Sequence, residues 1–265
     1  MRLANGGYTL NRGYWNERTS NPLQAQSQLC ELIGNFGSFS TARSILDVGG
    51  GSAAPARIWK SLYQNVDVIC LDLNYDQLHG SQNSSNKWTM NEKAENYRLQ
   101  ITPINGTANM FPFADHTIDR IVALESHHHF LPLSLFIGES KRVLESNGTL
   151  VIASPVKLVD TNIAEDFLRL GFLSLTLQSR NYLLSYLKLV LADFGFRIKD
   201  VLNIGSNVFR PLADYYIHNR QEIRQRVSSG YPLFFERLLY SMILRSVYAY
   251  NKGMIDYLLL NCCAA

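Results

Sequence analysis

Residues 44–53, reading S-I-L-D-V-G-G-G-S-A, constrain the fold more than any other stretch, because an apolar strand runs into an acid and then a glycine turn. Glycine tolerates positive φ and has no Cβ, so Gly49 and Gly51 permit a tight turn and close approach of a ligand to the backbone. Asp47 stands near the end of the strand. A carboxylate there accepts an ammonium or hydroxyl group, whereas a dinucleotide fold usually has an apolar residue at this point and binds pyrophosphate. The stretch therefore favours a cationic ligand.

The glycine turn alone is not specific, because Gly49-x-Gly51-x-x-Ala54 also satisfies the loose nicotinamide pattern. The next segment, V-D-V-I-C-L-D-L at residues 66–73, predicts a buried strand. Asp72 lies at its end, about 20 residues past the glycines, where an acid usually binds ribose hydroxyls. Asp72 is therefore a second candidate for cofactor binding. Its alternative role is to cap the next helix, which Asn74 would do equally well.

Short apolar strands alternate with helical stretches over residues 44–155, and this alternation predicts an α/β fold with a parallel sheet and right-handed crossovers. The predicted strands are 45–48, 66–73, 118–123, 150–153, 197–204 and 255–262. The predicted helices are 22–36, 54–62, 75–81, 133–144, 163–177, 182–194, 209–226 and 232–250. Residues 145–148, E-S-N-G, predict a helix stop and a turn.

Length and composition indicate one domain, since 265 residues with 46% apolar content suffice for one substantial core. We expect an N-terminal lid with helices (1–37), a cofactor-binding core (38–156) and a helical substrate cover with closing strands (157–265). The aromatic stretch at 232–250 is expected to pack in the core. A membrane-surface role is the weaker alternative, because Glu236 and Arg237 interrupt the stretch without forming a basic face.

Charge and cysteine content exclude several partners. The net charge of +3 is small, and basic residues do not alternate with aromatics as on a nucleic-acid-binding face. No stretch approaches the roughly 20 apolar residues of a membrane-spanning helix, and the N-terminus lacks the apolar core of a signal peptide. The four cysteines lack the spacing of a zinc site and are expected to be free structural thiols. A cytoplasmic protein is the expectation.

Five ordered motifs together resemble the class I S-adenosylmethionine-dependent methyltransferases. They are I-L-D-V-G-G-G-S-A (45–53), V-I-C-L-D-L-N (68–74), N-G-T-A-N-M-F-P-F-A-D (105–115), H-T-I-D-R-I-V-A-L-E-S-H-H-H-F (116–130) and K-R-V-L-E-S-N-G-T-L-V-I-A (141–153). E-S-H-H-H-F resembles the small-molecule branch, with its macrolide and rebeccamycin-type sugar O-methyltransferases and, more distantly, quinone and sterol C-methyltransferases. The resemblance implies a Rossmann-like seven-stranded methyltransferase sheet with helices on both faces and a helical substrate lid.

The resemblance also implies S-adenosyl-L-methionine as cofactor and assigns residues to it. Asp47 and the backbone of Gly49, Gly50 and Gly51 would hold the methionine moiety, and Asp72 would hold the ribose hydroxyls. The residues expected near the adenine are Leu73, Thr107 and Ala108, and Glu125 is a further cofactor-binding candidate. This chain departs from the family pattern at three positions: the usual third glycine is Ala53, an acid is replaced by Thr107, and the aspartate that follows the fifth strand is Ser154.

The chemistry centres on residues 125–129, E-S-H-H-H, which follow the predicted fourth strand at the edge where open α/β sheets bind ligands. Methyl transfer depends largely on positioning, and a base is needed only where the acceptor carries a proton. His128 and His129, which match the family pair, and Glu125 are the catalytic candidates. His127, Tyr14 and Trp15 are the substrate-binding candidates. The alternative is that the histidines cap the next helix or pack beside the cofactor.

No metal is expected, because neighbouring side chains diverge and metal-binding pairs prefer a spacing of i, i+4. We predict methyl transfer to a small, fairly apolar metabolite at a hydroxyl oxygen. The alternatives are C-methylation of a quinone, sterol or isoprenoid-type substrate, a non-catalytic fold that retains the cofactor, and a nicotinamide oxidoreductase, which Asp47 and the fifth-strand motif oppose. The expected partner is a small-molecule acceptor, with neither nucleic acid nor an integral membrane segment. A homodimer is left open.

Overall fold

The computed structural model describes residues 11–80 and 101–264. The part of the predicted N-terminal lid at residues 1–10 and the last residue of the predicted helix 75–81 lie outside this range. The described strands are β1 (Ser44–Val48), β2 (Asp67–Asp72), β3 (Thr102–Asn105), β4 (Ile118–Leu124), β5 (Leu144–Lys157), β6 (Phe196–Asn203) and β7 (Ile255–Ala264). The described helices are α1 (Pro22–Phe36), α2 (Ala54–Leu62), α3 (Tyr75–Gly80), α4 (Leu133–Val143), α5 (Ile163–Leu170), α6 (Leu173–Thr176), α7 (Leu184–Asp193), α8 (Phe209–His218), α9 (Arg220–Ser228) and α10 (Leu233–Asn251).

The strands form one seven-stranded sheet in the order β3-β2-β1-β4-β5-β7-β6. The pairs from β3 to β5 are parallel, as predicted. From β1 the chain moves outward through β2 to β3, whereas β4 and β5 extend the sheet on the other side. The strand order therefore reverses between β1 and β4, and ligands of open α/β sheets bind at the carboxyl ends of the strands at such a reversal.

Local signals located the first two helices correctly. Before α1, Asn21 Oδ1 accepts a hydrogen bond of 3.0 Å from the backbone N–H of Gln24, and Pro22 occupies the first helical position. α2 has Pro55 in its first turn and buries Trp59, whose Nε1–H donates to the carbonyl of Cys30 at 2.8 Å. Both helices have the predicted boundaries.

Three predicted elements differ in the structure. The helix predicted at 163–177 is two helices, α5 and α6, because Gly171 adopts φ +55° between them. The helix predicted at 209–226 is α8 followed by α9, with a break at Asn219. The turn predicted at 145–148 is an irregularity within β5, since Leu144 pairs with Ile118 and Thr149 pairs with Arg120.

The described chain divides into two compact units. Among the described residues, the sheet unit comprises 30–80, 101–153, 190–200 and 260–264, and the helical unit comprises 11–29, 154–189 and 201–259. In the sheet unit, β1 and β4 are buried along almost their whole length, as expected for parallel strands covered on both faces. In the helical unit, Ala213, Tyr216, Ile223, Val227 and Ile243 form a buried cluster. The single domain predicted from the sequence remains a prediction.

The helical unit corrects one expectation about the aromatic stretch. Ile243 is buried in α10, and Leu239 packs against its cluster, as predicted. Phe234 and Phe235 are exposed instead, because they lie at the start of α10, beyond the part that packs in this cluster.

Cys30, Cys70, Cys262 and Cys263 are all free thiols, as predicted. None of the described helices is long and apolar enough to span a membrane.

Candidate active site

The glycine turn after β1 is close to neighbouring side chains. Gly49 and Gly51 have φ of +74° and +57°, which L side chains rarely adopt. A Cβ at Gly49 would lie 2.7 Å from Cβ of Ser126, and a Cβ at Gly50 would lie 2.4 Å from Oδ2 of Asp47. The backbone N–H of Gly49 donates to the carbonyl of Leu71 at 2.8 Å. The backbone conformation therefore favours glycine at Gly49 and Gly51, and the limited space favours glycine at Gly49 and Gly50. As a result, no side chain covers the backbone of the turn beside Asp47.

Asp72 at the end of β2 braces this turn. Its Oδ2 accepts a hydrogen bond of 2.8 Å from the N–H of Gly51, and its Oδ1 accepts one of 2.7 Å from the N–H of Asn74. Asn74 Oδ1 accepts the N–H of Gln77 at 3.0 Å, so Asn74 caps α3. A carboxylate has about four acceptor positions, and these two bonds leave Asp72 able to accept hydroxyl donors.

Asp47 is buried in β1 and has an incomplete set of partners. Among the described residues, its Oδ2 has no hydrogen-bond partner. Burial, and next the negative charge of Asp72, raise the pKa of Asp47 from its ordinary 3.8 to about 8. A buried oxygen without a hydrogen-bond partner destabilises the folded protein. The unpartnered Oδ2 of Asp47 therefore fits a ligand whose ammonium group donates a hydrogen bond.

The chain after β2 is held by a residue that the sequence analysis did not identify. Asn105 Nδ2 donates to the carbonyls of Asp72 and Leu73 at 3.0 and 2.9 Å. The side chain of Leu73 is exposed. Asn105 opens the N-G-T motif that carried the family resemblance, but the residues it holds lie 33 and 32 positions earlier, so only the fold brings them together.

Two further predicted residues lie just after β3. Oγ1 of Thr107 accepts the N–H of Asn109 at 3.2 Å, and Ala108 is buried. The roles of Leu73, Thr107 and Ala108 beside the adenine remain predictions.

The histidines form a tight turn after β4. Oγ of Ser126 donates to the carbonyl of Val48 at 2.7 Å and so ties this turn to the end of β1. His127 to His129 form one turn of 3₁₀ helix in which His127 and His128 are buried and His129 is exposed. The ring centroids of His128 and His129 are 4.1 Å apart.

The histidines do not cap α4, which begins at Leu133 after Pro132 and has no side-chain cap. The capping part of that alternative is therefore not supported, and packing of the histidines beside the cofactor remains a prediction. Among the described residues, no group of His, Cys, Asp and Glu side chains has the arrangement of a metal site.

Two non-glycine residues next to the turns have left-handed backbone conformations. Ala53, which takes the place of the family's third glycine, has φ +56°, and Glu125 has φ +48°. Such conformations cost on the order of 1–3 kcal/mol each and concentrate at functional sites. Both turns therefore have the strained backbone that is common around a bound ligand.

Three positions discussed from the sequence belong to the helical unit. Trp15 is buried against Ala25 and Leu212, and its ring centroid is 5.4 Å from that of Tyr215. The backbone N–H of Tyr14 donates to the carbonyl of Ala25 at 2.8 Å. Ser154 is buried, and its Oγ donates to the carbonyl of Pro155 at 3.2 Å. Substrate binding by Tyr14 and Trp15 remains a prediction.

Comparison with known proteins supports a methyltransferase. A family model described as a methyltransferase domain matches residues 46–152, which contain the glycine turn, Asp72 and the histidine turn. The erythromycin 3''-O-methyltransferase of Saccharopolyspora erythraea is 25% identical over 256 residues, covering 94% of this chain and 79% of that protein. The chain is an S-adenosylmethionine-dependent methyltransferase. The 27-O-demethylrifamycin SV methyltransferase of Amycolatopsis mediterranei is 23% identical to this methyltransferase, over 55% of this chain and 51% of that protein.

Solved structures confirm the fold of the methyltransferase. A putative sarcosine dimethylglycine methyltransferase from Galdieria sulphuraria matches 100% of this chain and 96% of its own, with a TM-score of 0.79 and 15% identity. The mycolic acid cyclopropane synthase CmaA1 complexed with SAH and CTAB matches 99% of this chain and 92% of its own, with a TM-score of 0.77 and 17% identity. The predicted Rossmann-like methyltransferase sheet is confirmed by these structures, and the match to a methyltransferase domain supports the predicted cofactor.

Proposed function

We propose that the methyltransferase transfers a methyl group to a hydroxyl oxygen of a small, fairly apolar metabolite, with His128 or His129 as the base. The observation that carries this proposal is the buried imidazole of His128 in the turn after β4, a turn that Ser126 fixes to the end of β1. The names of the two relatives support a hydroxyl acceptor, since both describe O-methyl transfer or an O-demethyl substrate. The proposed partner is a small molecule, and the proposed compartment is the cytoplasm.

The described residues fit the cofactor. Asp47 would hold the amino group of the methionine moiety, because its Oδ2 lacks a partner among the described residues and lies beside a turn that has no side chains. Asp72 would accept the ribose hydroxyls with its remaining lone pairs. The adenine would lie against Leu73, Thr107 and Ala108, and Glu125 would complete the site. When bound, S-adenosylmethionine supplies an electrophilic methyl group on a sulfonium.

The histidines would act on the acceptor. A hydroxyl is a weak nucleophile until its proton is removed, and a neutral imidazole accepts that proton near physiological pH. The bond from Ser126 to Val48 ties the 3₁₀ turn that carries the imidazole rings to the end of β1. Positioning of this kind supplies much of the acceleration of a methyl transfer. Glu125 is the second candidate for the base.

The test compares three variants in the histidine turn with one histidine variant elsewhere in the chain. If His128 or His129 removes the proton from the substrate hydroxyl, replacing that histidine with Gln should lower kcat by roughly 10²- to 10⁴-fold. The affinity for S-adenosylhomocysteine should be nearly unchanged. His218→Gln is the matched control, because His218 is exposed on α8 in the helical unit. His127→Gln should have a much smaller effect than the sensitive variant.

The assay would use glycosylated macrolides with a free sugar hydroxyl, and NMR spectroscopy of the purified product would distinguish an O-methyl from a C-methyl group. Less than a threefold loss in both His128→Gln and His129→Gln, with an accepted substrate, would contradict the base assignment. A C-methyl product would contradict the hydroxyl acceptor. Gel filtration of the same preparations determines whether the chain is a homodimer.

A further inference from the structure

Five consecutive apolar residues are exposed where α9 turns into α10 in the helical unit. We call residues 231–235, Y-P-L-F-F, the aromatic tip. The exposed fractions are 54% for Tyr231, 41% for Leu233, 60% for Phe234 and 49% for Phe235, and Pro232 is exposed as well. Scattered exposed apolar residues are ordinary on a protein surface, but a contiguous run of this kind marks an interaction site.

The backbone and ring contacts hold the aromatic tip in one arrangement. The N–H groups of Gly230 and Tyr231 both donate to the carbonyl of Val227, at 3.2 and 2.9 Å. The ring centroid of Phe235 lies 5.7 Å from that of Tyr231 and 6.1 Å from that of Phe234. The packing of α10 in its own unit uses residues further along the helix, such as Tyr240 and Ile243. The tip is therefore preorganised, and its exposed rings are available for a partner.

The charges around the tip are positive. Arg224 in α9 and Arg237 in α10 are exposed, and among the described residues neither has a salt bridge. The acids of the two helices are already paired. Glu222 lies 3.3 Å from Arg226, and the buried Glu236 lies 3.1 Å from Arg220. The described surface of the tip therefore presents apolar rings with two uncompensated cations.

We propose that the aromatic tip docks on an anionic lipid surface. Aromatic side chains bury at the headgroup boundary of a bilayer, and nearby arginines attract anionic headgroups. The tip is a segment of only five residues, whereas a stable protein interface buries about 800 Å² on each partner. In a two-fold dimer through the tip, Arg224 and Arg237 would meet arginines of the second copy, which is repulsive. Charge and size together favour the lipid, and the proposal does not depend on which acceptor is methylated.

The experiment is co-sedimentation of the full chain with vesicles of phosphatidylcholine alone or mixed with phosphatidylglycerol. We expect binding to the mixed vesicles to exceed binding to phosphatidylcholine by roughly 30-fold, the effect of two arginines, and to weaken as salt is raised. Phe234→Ser with Phe235→Ser should abolish binding. Arg224→Gln with Arg237→Gln should reduce it to the level seen with phosphatidylcholine.

Two variants control for loss of any exposed apolar residue or charge. Leu189→Ser removes an exposed apolar side chain from α7, and Lys199→Gln removes an exposed cation from β6. Both should bind the mixed vesicles like the unmodified chain. All variants should retain the far-ultraviolet circular dichroism spectrum and the affinity for S-adenosylhomocysteine, which establishes that they are folded.

Three outcomes would overturn the proposal. The first is absence of binding to mixed vesicles at low salt, and the second is equal binding by the Phe234→Ser/Phe235→Ser variant. The third is a concentration-dependent dimer that this variant dissociates, which would assign the tip to a second copy of the chain.

Discussion

At the scale of single residues, the buried carboxyl of Asp47 has a pKa of about 8, well above its ordinary 3.8. In the free enzyme at pH 7 this group is mostly protonated, whereas a bound ammonium group favours its ionised form. Binding of S-adenosylhomocysteine near neutral pH should therefore release close to one proton, roughly as the linkage of pKa and binding requires. Calorimetry in buffers of different ionisation enthalpy measures this release.

In the same experiment, Asp47→Asn should remove the proton release and weaken binding by about 1–3 kcal/mol. Asp67→Asn is the matched control, because Asp67 is exposed at the start of β2. Binding heats that are identical in all buffers for the unmodified enzyme would be inconsistent with a protonated Asp47.

The same pKa makes the stability of the free enzyme depend on pH. Burial first and the charge of Asp72 second raise the pKa of Asp47 from 3.8 in its ordinary state to about 8 in the folded state. Between these values the folded state binds more protons than the unfolded state, so this group makes the free energy of unfolding fall as pH rises from about 4 to about 8. In urea titrations across this range, Asp47→Asn should lose part of this pH dependence, and Asp67→Asn should keep it. An identical dependence in both variants would contradict the assignment.

Asn105 is the residue whose position the sequence analysis did not anticipate, and it should act as a positioning residue. Removing its two hydrogen bonds in Asn105→Ala should loosen the backbone of Asp72 and Leu73 and weaken S-adenosylhomocysteine binding by about 1–2 kcal/mol. At saturating cofactor, kcat should change little, so the effect appears in the KM for the cofactor. Asn147→Ala, at an exposed position in β5, is the control. An unchanged KM for the cofactor in Asn105→Ala would contradict the positioning role of Asn105.

At the scale of elements, a buried ion pair anchors α5 to the end of β5 within the helical unit. Nζ of Lys157 lies 2.5 Å from Oδ2 of Asp166, both side chains are buried, and Thr161 donates to the other carboxylate oxygen. Asp166→Ala would leave a buried charge without its partner and should lower the free energy of unfolding by about 3–5 kcal/mol.

Glu165 offers a control for this ion pair on the same helix. It pairs with Arg169 near the surface, so Glu165→Ala should cost less than about 1 kcal/mol. Equilibrium unfolding in urea measures both variants. Similar losses in the two would show that the Lys157 pair contributes no more than a surface pair.

The elements also show why sequence reasoning succeeded in some places and failed in others. α1 and α2 were located because Asn21, Pro22 and Pro55 are local signals that need no tertiary information. β3 was not predicted, because it is an edge strand containing Pro103 and has no alternation of buried and exposed residues. In the site, the acid and glycines of the first turn lie within a few residues and form a readable motif. The bond from Ser126 to Val48 spans 78 residues, and only the fold places these two residues together.

At the scale of the whole molecule, the open question is whether the two compact units unfold together. The chain crosses between them inside α1, β5, α7, β6 and β7, at Cys30, Ser154, Val190, Val201 and Leu260. Hydrogen-bonded helices and strands that continue across a boundary favour cooperative unfolding, in contrast to the exposed linkers that usually separate domains. We therefore expect the two units to unfold in one thermal transition, as the single domain predicted from the sequence would.

Ligand binding tests this prediction. The proposed cofactor residues all lie in the sheet unit, and S-adenosylhomocysteine at 100 times its Kd should add about 2.7 kcal/mol to the free energy of unfolding. For a chain of this length that corresponds to a rise of roughly 5–10 °C in Tm. Differential scanning calorimetry should show one transition that shifts as a whole, and Asp47→Ala should lose most of the shift because it removes the proposed partner of the amino group. Two transitions, of which only one moves with ligand, would mean that the sheet unit and the helical unit are separate domains.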